Sequence, residues 1–457
     1  MTVYFEPPIQ LQILQTLLYL YMAIEQLYDL YLQHPIISTD TRKIAPGSLF
    51  FALKGDKFDA NTFAAQAFEA GAAYAIIDNA AYRTSEKTIL VDDVLSTLQD
   101  LARYHRKQLQ IPVIGLTGTN GKTTTKELIN AVLSQQFSTL ATIGNLNNHI
   151  GVPLTMLSIN SSHEIAVIEM GANHQKEIEL LCTIAQPTHG LITNVGKAHL
   201  EGFGGVEGVK KGKGELYDYL KASGGIAFVN SDSNDLLLMQ ESRNLENVIY
   251  YGKQSFLNTI DGTLLQNTPY LAIQWLVKER QTTSYEVNSH LTGEYNLPNI
   301  LAAISIGYYF KMSPDEINAG IEGYQPQNNR SQIVKTATNT LICDYYNANP
   351  SSMMVAIDNL NKMQAAHKVM ILGDMFEMGT EAAAEHKAII EAALAVPADE
   401  HIFVGTEFYR QQADYKATFY TTAEDAINSI RAKPVHDATV LIKGSRGMAL
   451  ERLVPLF

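Results

Sequence analysis

The chain alternates short apolar runs with longer segments in which apolar positions recur every three to four residues. This alternation is typical of buried strands joined by amphipathic helices. In the first part of the chain it predicts strands at 48–53 and 73–77. It also predicts helices at 61–71 and 94–108. Together these elements form a small α/β unit.

The middle of the chain has the rhythm of a largely parallel sheet, because apolar strands without alternation are separated by helical stretches. From 248 to 292 the pattern changes to short alternating strands. The other elements are predicted as strands beginning at 111 and spanning 165–170, 190–195 and 226–230, and as helices at 121–135 and 296–310.

From about residue 326 the rhythm restarts and predicts a second doubly wound, Rossmann-like unit. No GxGxxG follows its first strand, so the pattern does not support a dinucleotide site there. The strands are predicted at 341–346, 368–374, 401–405, 417–420 and 439–444, and the helices near 351–364, 381–394 and 423–431. The whole chain is thus predicted to be an α/β protein with domains at 1–108, 109–325 and 326–457.

The first 21 residues need a separate interpretation. Residues 9–22 are apolar but carry three glutamines, and they have neither a basic start nor a small-residue cleavage site, so they do not resemble a signal peptide. An amphipathic helix opens naturally at Met22. We therefore hypothesise that Met22 is the initiator and that residues 1–21 are a non-native extension, which N-terminal mass determination would test.

Composition excludes several classes of protein. With 34 Lys and Arg against 47 Asp and Glu, the net charge is −13, which disfavours non-specific binding to nucleic acids or anionic membranes. No run reaches the roughly 18–20 apolar residues of a membrane span. Cys182 and Cys343 are too few for a disulfide framework. These features predict a cytoplasmic protein without nucleic-acid partners or membrane insertion.

A glycine-containing loop follows the first central strand and leads into a helix, as in a phosphate-binding loop. Its residues are Thr117, Gly118, Thr119, Asn120, Gly121, Lys122, Thr123 and Thr124. Backbone N–H groups and the helix dipole would bind phosphate, Lys122 would reach the β- and γ-phosphates, and Thr123 would ligate Mg²⁺. Leu116 stands where the usual first glycine belongs, and a simple glycine-rich turn is the alternative. The loop leaves kinase, GTPase, ATPase and ligase activities open.

Two further side chains follow strands of the same predicted sheet. Glu169 ends one strand, where a carboxylate can hold Mg²⁺ beside a nucleotide. His199 lies in a loop after the next strand. A solvated Glu and a structural His are the ordinary interpretations of each alone. The lysine-rich run 209–215 could be a solvated helix face, but in so acidic a chain it hints at anion binding.

An ordered series of motifs resembles the Mur ligases of peptidoglycan synthesis, over roughly residues 22–457. The motifs include TGTNGKTTTKELI (117–129), GNLNNHIGVPLT (144–155), EMGANHQKEI (169–178), ITNVGKAHLEGFGG (192–205), GKGELY (212–217), GEYNLPNILAA (293–303), NNRSQ (328–332), DYYNANPSSM (344–353), LGDMFEMG (372–379) and KGSRGM (443–448). The DYYNANPSSM and KGSRGM forms resemble the family member that adds D-alanyl-D-alanine to UDP-N-acetylmuramoyl-tripeptide.

The resemblance implies a reaction and its cofactors. ATP would phosphorylate the terminal carboxylate of the UDP-muramoyl peptide, and the amine of the incoming dipeptide would displace phosphate. The catalytic residues implied are Lys122, Glu169, His199 and Lys213. Thr123 and Glu169 would hold one Mg²⁺, and His199 would help to hold a second. Lys213 matches a lysine that the family carries as a carbamate, a group that can serve a metal as a carboxylate does. A monomer acting on these two small molecules is expected.

The resemblance also assigns binding residues. The nucleotide would contact the phosphate loop (118–124), Asn296, Asn299, Arg330, Asp344, Asn347 and Asn349. The UDP-muramoyl peptide would contact Ser38, Asp40, Thr41, Arg42, Lys54, Asp56, Asn147 and Asn148. Lys443, Ser445 and Arg446 would receive the carboxylate of the dipeptide, for which the arginine fork is suited. A solvated basic loop is the alternative for each of these three residues alone.

Two competing functions stay open on the sequence. One is a ligase of the same build that adds a different amino acid, for example a folylpolyglutamate synthase, which substrate screening would distinguish. The other is a non-catalytic nucleotide-sugar-binding protein on a decayed ligase fold. The presence of Lys122, Thr123, Glu169, His199 and Lys213 together argues against decay, and phosphate release would separate the two.

Overall fold

The computed structural model of the protein describes residues 22–280, 283–327 and 329–457. The hypothesis about residues 1–21 therefore lies outside the described residues. Three main sheets follow one another along the chain, and a two-stranded hairpin accompanies the first. Within the described part of the chain, no helix combines the length and the apolar character needed to cross a membrane. The domain boundaries at 108 and 325 stay predictions.

The first sheet is parallel, with the strand order β1-β2-β5-β6. The predicted helix 61–71 is wrong in its first turn. Because the Asp59 carboxylate accepts a hydrogen bond from the Asn61 amide (2.9 Å), the chain begins there with a 3-10 turn. The elements are α1 (Ile24–Gln33), β1 (Ile37–Ser38), β2 (Leu49–Phe51), β3 (Lys54–Gly55), β4 (Phe58–Asp59), α2 (Ala64–Glu69), β5 (Tyr74–Ile77), β6 (Thr88–Leu90) and α3 (Val94–Gln108).

The central sheet has nine strands, of which seven are parallel and the last two antiparallel. Its strand order is β15-β14-β13-β12-β11-β10-β7-β9-β8. Strand β8 is an addition to the prediction. The elements are β7 (Val113–Thr117), α4 (Lys122–Leu133), β8 (Thr139–Ala141), α5 (Gly151–Leu157), β9 (Ile165–Glu169), α6 (Glu177–Ala185), β10 (His189–Ile192), α7 (Leu200–Phe203), α8 (Val206–Ser223), β11 (Ile226–Asn230), α9 (Asn234–Glu241), β12 (Val248–Gly252), β13 (Ile260–Gln266), β14 (Ala272–Val277), β15 (Ser284–Asn288), α10 (Leu297–Tyr309) and α11 (Pro314–Gly323).

The third sheet has six strands in the order β16-β17-β21-β18-β19-β20, one more than the five predicted. The extra strand, β16, pairs antiparallel at the edge. The elements are β16 (Gln332–Lys335), β17 (Thr340–Asp344), α12 (Pro350–Lys362), β18 (Lys368–Gly373), α13 (Ala382–Leu394), β19 (Glu400–Val404), α14 (Thr406–Tyr409), β20 (Thr418–Tyr420), α15 (Ala423–Ala432) and β21 (Thr439–Lys443).

The cores explain how the sheets are held in relation to one another. One continuous apolar core joins α1 and α3 to one face of the central sheet, and α4, α10 and α11 cover the other face. Helix α3 is further attached by hydrogen bonds from Gln99 and Arg106 to backbone carbonyls of the central domain. The third sheet has a core on each of its faces. Its loops after β17, β18 and β21 are directed at the phosphate-loop end of the central sheet.

Candidate active site

The phosphate loop lies at the carboxyl end of β7, between its two neighbours β10 and β9, where the strand order reverses. Ligands bind at such a reversal in open parallel sheets. Gly118 has φ 147°, and a Cβ there would lie 2.0 Å from Thr193 Oγ1, so only glycine fits. The Lys122 ammonium curls back to the carbonyls of Gly118 (2.7 Å) and Thr119 (3.2 Å). Burial lowers the pKa of Lys122 to about 8, and Glu169 opposes that shift.

A large cavity of about 860 Å³ opens over this loop, between the central and C-terminal domains. Its volume lies within the range of ligand pockets. We call it the nucleotide cavity. It gathers most of the predicted site residues, namely Thr119, Asn120, Gly121, Lys122, Thr123, Thr124, Asn147, Asn148, Glu169, His199, Asn296, Asn299, Arg330, Asp344, Asn347, Asn349 and Lys443. Gly118 and Lys213 are not among the lining residues.

Glu169 ends β9 inside this cavity and is 1% exposed. Its Oε1 accepts hydrogen bonds from Asn147 Nδ2 (2.8 Å) and Thr123 Oγ1 (3.3 Å). Its Oε2 is buried and accepts no hydrogen bond from the described residues. A buried carboxylate oxygen without a partner is costly unless a cation meets it. The residues therefore fit a divalent cation at Thr123 and Glu169.

Within residues 22–280, 283–327 and 329–457, no group of three or more His, Cys, Asp or Glu side chains is arranged to hold a metal. A metal at Glu169 would therefore depend on the Thr123 hydroxyl and on oxygens of the nucleotide. This is the coordination that Mg²⁺ favours, since it is usually bound by one or two carboxylates and substrate phosphates.

His199 and Lys213 occupy different positions around the cavity. His199 has φ 51°, lines the cavity and contacts the Glu377 carboxylate of the C-terminal domain through Nδ1. Lys213 is buried on α8 behind the wall, where its ammonium donates to Ala172 O (3.2 Å). Lys213 therefore does not line the nucleotide cavity, and its role beside a metal stays a prediction. Burial and the charge of Lys122 hold the pKa of Lys213 well below its ordinary value.

The two asparagines predicted at the nucleobase are fixed by neighbours. Asn299 Oδ1 accepts a hydrogen bond from Thr125 Oγ1 (3.0 Å) on the phosphate-loop helix. Asn299 Nδ2 donates to Asn296 Oδ1 (2.9 Å), and Asn296 Nδ2 donates to Thr292 O (2.9 Å). This chain of amides ties α10 to α4. Contact with a nucleobase stays a prediction for both residues.

The C-terminal wall carries two cations, each held differently. The Arg330 guanidinium lies 3.9 Å from the centre of the Tyr346 ring, and its Nε has no hydrogen-bond partner within the described part of the chain. Lys443 is 2% exposed, and its ammonium donates to Asp344 Oδ2 (2.7 Å) and Asn347 O (3.3 Å). Lys443 thus lines the nucleotide cavity, whereas Ser445 and Arg446 do not. Its binding of the dipeptide together with these two residues stays a prediction.

The two domains that enclose the cavity are joined by polar contacts. Asn349, the N-cap of α12, donates from Nδ2 to Asn120 Oδ1 of the phosphate loop (2.9 Å). The Lys197 amide donates to Ser351 Oγ (2.9 Å), and its ammonium pairs with Glu385 (2.6 Å). The sequence interpretation assigned no role to Lys197, Ser351 or Glu385. Lys197 and Ser351 lie within quoted motifs, which was the signal for them, whereas Glu385 lies six residues after the LGDMFEMG motif and had none.

A second, smaller cavity of about 170 Å³ lies beside His199, and we call it the side cavity. Ser445 and Arg446 line it, as do Phe376, Glu377 and Met378 of the LGDMFEMG motif. His199, Asn347 and Asn349 line both cavities, so the two adjoin. The sequence interpretation includes this motif but assigns no role to Phe376, Glu377 or Met378.

The residues predicted for the UDP end surround the carboxyl ends of the paired strands β1 and β2. Asp40 and Arg42 form an exposed ion pair (2.8 Å), which lowers the pKa of Asp40 to about 2. Lys54 pairs with Asp78 (2.7 Å). Ser38 is the last residue of β1, Asp40, Thr41 and Arg42 follow it, and Lys54 and Asp56 come after β2. None of them lines either cavity, so their binding role stays a prediction.

Comparison with known proteins decides the family. Three family models match in chain order: "Mur ligase family, catalytic domain" over 35–106, "Mur ligase middle domain" over 116–307 and "Mur ligase, glutamate ligase domain" over 329–446. The UDP-N-acetylmuramoyl-tripeptide–D-alanyl-D-alanine ligase of Escherichia coli (strain K12) is 36% identical, with 92% of each chain covered. The chain belongs to the Mur ligase family.

Solved Mur ligases share the three-domain architecture. The crystal structure of MurF from Acinetobacter baumannii is similar, with a TM-score of 0.83, 32% identity and 92% of each chain covered. The MurF ligase of Thermotoga maritima, solved in complex with ADP, has a TM-score of 0.80 and 26% identity and covers 94% of this chain and 98% of its own. The predicted three-domain α/β fold is therefore confirmed.

Proposed function

We propose that this chain is an ATP-dependent ligase that adds D-alanyl-D-alanine to UDP-N-acetylmuramoyl-tripeptide, a step in peptidoglycan precursor synthesis. The observation that carries the proposal is the nucleotide cavity, in which Lys122 and Glu169 of one domain face Arg330 and Asp344 of another. The name of the Escherichia coli relative supplies the substrates. The proposal includes that the enzyme is a monomer and that it acts in the cytoplasm.

The chemistry begins by activating a carboxylate, which is a poor electrophile. A carboxylate oxygen of the tripeptide attacks the γ-phosphorus of ATP, the bond from that phosphorus to the bridging oxygen breaks, and ADP leaves. Lys122 and Arg330 would neutralise charge on the transferring group, which is the main catalytic contribution in phosphoryl transfer. Bound Mg²⁺ would withdraw charge from the phosphate oxygens, with Thr123 and Glu169 holding it.

In the second step the acyl phosphate reacts with the dipeptide. Its amine nitrogen attacks the acyl carbon, the carbon–oxygen bond to phosphate breaks, and the nitrogen gives up its extra proton as the amide forms. No nucleophile of the protein is needed. The role of the two domains is to hold the groups together and to exclude water that would hydrolyse the acyl phosphate. A second Mg²⁺ at His199 and a carbamate on Lys213 belong to the proposal.

An acceptor screen tests this function. The full chain is incubated with ATP, Mg²⁺ and UDP-N-acetylmuramoyl-tripeptide, and ADP release is followed with D-alanyl-D-alanine, single amino acids, glutamate or no acceptor. We expect sustained release only with the dipeptide, together with a product of the mass of the pentapeptide. Release with single amino acids alone would favour a ligase of different specificity. No release with any acceptor would favour a non-catalytic binding protein.

A further inference from the structure

The side cavity carries opposite charges that the reaction described above does not use. Arg446 lines it, and its guanidinium forms no ion pair with any residue the structure describes, while lying 5.1 Å from the Tyr346 ring centre. Glu377 also lines it. One oxygen of Glu377, Oε2, contacts His199. Its other oxygen, Oε1, accepts no hydrogen bond from the described residues, so a ligand can take it.

The backbone at this carboxylate is unusual. Glu377 has φ 61° and its partner His199 has φ 51°, both in the left-handed region that non-glycine residues seldom adopt. Such conformations persist where the surroundings enforce them, and they cluster at functional sites. The turn after β18 thus presents Glu377 to His199 across the domain interface at a conformational cost.

A free dipeptide is a zwitterion, with a carboxylate at one end and an amino group at the other. A site that selects it needs a cation and an anion on opposite sides. The side cavity offers Arg446 for the first and Glu377 for the second. Because His199 lines both cavities, a nitrogen held beside Glu377 lies next to the opening toward the nucleotide cavity, where the acyl phosphate would form.

We propose that Glu377 is the residue that binds the amino group of the incoming dipeptide, through Oε1, opposite Arg446, to which the family resemblance assigns the carboxylate. Glu377 is thereby a specificity-determining residue for the acceptor, and it directs the attacking nitrogen past His199. This inference rests on the proposed function. It adds to it a named carboxylate and a named cavity for the acceptor.

Two probes that differ only in the amino group test the proposal. D-Alanyl-D-alanine and N-propionyl-D-alanine, which has hydrogen in place of the amino group, are titrated calorimetrically into the full chain. UDP-N-acetylmuramoyl-tripeptide and a non-hydrolysable ATP analogue are present, so no turnover occurs. In the wild-type chain the dipeptide should bind about 10- to 100-fold more tightly, the range for a hydrogen bond to a charged group.

The variant Glu377→Gln should lose this preference and bind N-propionyl-D-alanine as the wild type does. Arg446→Met should weaken both probes by similar factors. Glu381→Gln, which changes an exposed carboxylate four residues away, is the matched control and should behave as wild type. Preference retained in Glu377→Gln, or absent from the wild type, overturns the proposal. Equal weakening of both probes in Glu377→Gln also overturns the proposal, because it indicates that this substitution distorts the cavity.

A third readout separates the amine-binding role from a role in orienting His199 toward a metal. If Glu377→Gln raises only the Mg²⁺ concentration needed for half-maximal ADP release, with the probe preference intact, the proposal is overturned in favour of metal positioning. A wild-type chain that turns over a different amino acid overturns the proposed function alone. The probe pair is then that amino acid and its desamino form, and the test of Glu377 stands.

Discussion

The nucleotide cavity and the side cavity adjoin each other but are built differently. In the nucleotide cavity two charged groups are buried and held by neighbours in their own domain: Glu169 by Thr123 and Asn147, and Lys443 by Asp344. In the side cavity Arg446 and Glu377 stand on exposed turns. Glu377 is held instead by His199 of another domain.

This difference teaches which part of the site is preorganised. The phosphate loop and Glu169 are fixed within one domain. The backbone dipoles of the loop and the charge of Glu169 are therefore in place before the domains close. In the side cavity, by contrast, Glu377 and Arg446 of the C-terminal domain meet His199 of the central domain only across the interface, which contacts such as Asn349 to Asn120 and Lys197 to Glu385 also hold. We therefore expect domain closure to govern acceptor binding more than nucleotide binding.

The largest effect is expected at the phosphate loop. Lys122→Ala removes the cation beside the transferring phosphoryl group, and kcat for ADP release should fall about 10³-fold or more. Binding of the UDP-tripeptide should persist in calorimetry, because its predicted contacts lie elsewhere. Lys107→Ala, an exposed lysine on α3, is the control. Turnover of Lys122→Ala within tenfold of wild type would contradict the role of Lys122.

The next effect concerns the stability of the C-terminal wall. Asp344→Asn leaves the Lys443 ammonium, which is 2% exposed, without its carboxylate partner. The free energy of unfolding should fall by about 3 kcal/mol, as measured by urea denaturation. The double variant with Asp344→Leu and Lys443→Met should recover much of that loss. An unchanged urea midpoint in Asp344→Asn would show that the pair does not stabilise the fold.

A smaller effect is expected at Lys213, which lies behind the cavity wall. Burial lowers its pKa and so favours the neutral amine, which is the form that reacts with carbon dioxide. Lys213→Ala should reduce kcat about 10- to 100-fold, as loss of a group behind a metal ligand does, with ATP binding retained. Lys211→Ala, exposed on the same helix, is the control.

The carbamate itself is checked by native mass spectrometry and by assays in buffer freed of carbon dioxide. We expect the wild type to lose activity in such buffer and to regain it with bicarbonate, with Lys213→Ala insensitive to either. If the wild type is equally active in both buffers, Lys213 acts without a carbamate.

The smallest effect sharpens the comparison of the two cavities. Glu385→Gln removes the interdomain ion pair with the partly exposed Lys197. Such pairs contribute about 1 kcal/mol or less, so the KM for the dipeptide should rise only about 2- to 5-fold. The Kd of the ATP analogue should not change. If both constants rise together, the nucleotide cavity depends on closure as much as the side cavity does.

Elements with strong local patterns could be predicted from the sequence closely. Helix α3 and strand β11 have the predicted bounds, and α3 is capped by Asp93, which accepts from the Ser96 amide (2.7 Å). Strands β8 and β16 could not be predicted from the sequence, because both are short, half-buried strands at sheet edges. Neither strand has a local apolar run: β8 pairs with β9, about 25 residues further along the chain, and β16 forms an edge hairpin with β17.

The candidate site divides in the same way. Residues that follow a strand of the central sheet, such as Thr123 and Glu169, could be predicted because parallel strands bring their carboxyl ends to one edge. The contact between His199 and Glu377 could not, since these residues are 178 positions apart and meet only across domains. The pairing of Lys443 with Asp344 could not be predicted either, because the two residues are 99 positions apart and their motifs do not indicate the contact.

The central claim, that the tripeptide carboxylate is phosphorylated in the nucleotide cavity before an amine displaces phosphate, has a direct isotopic test. UDP-N-acetylmuramoyl-tripeptide carrying ¹⁸O in its terminal carboxylate is turned over with ATP and D-alanyl-D-alanine, and the released phosphate is examined by mass spectrometry. The account predicts one ¹⁸O atom in each phosphate released, because the attacking carboxylate oxygen leaves with phosphorus. Phosphate without label, formed alongside amide product, would contradict it.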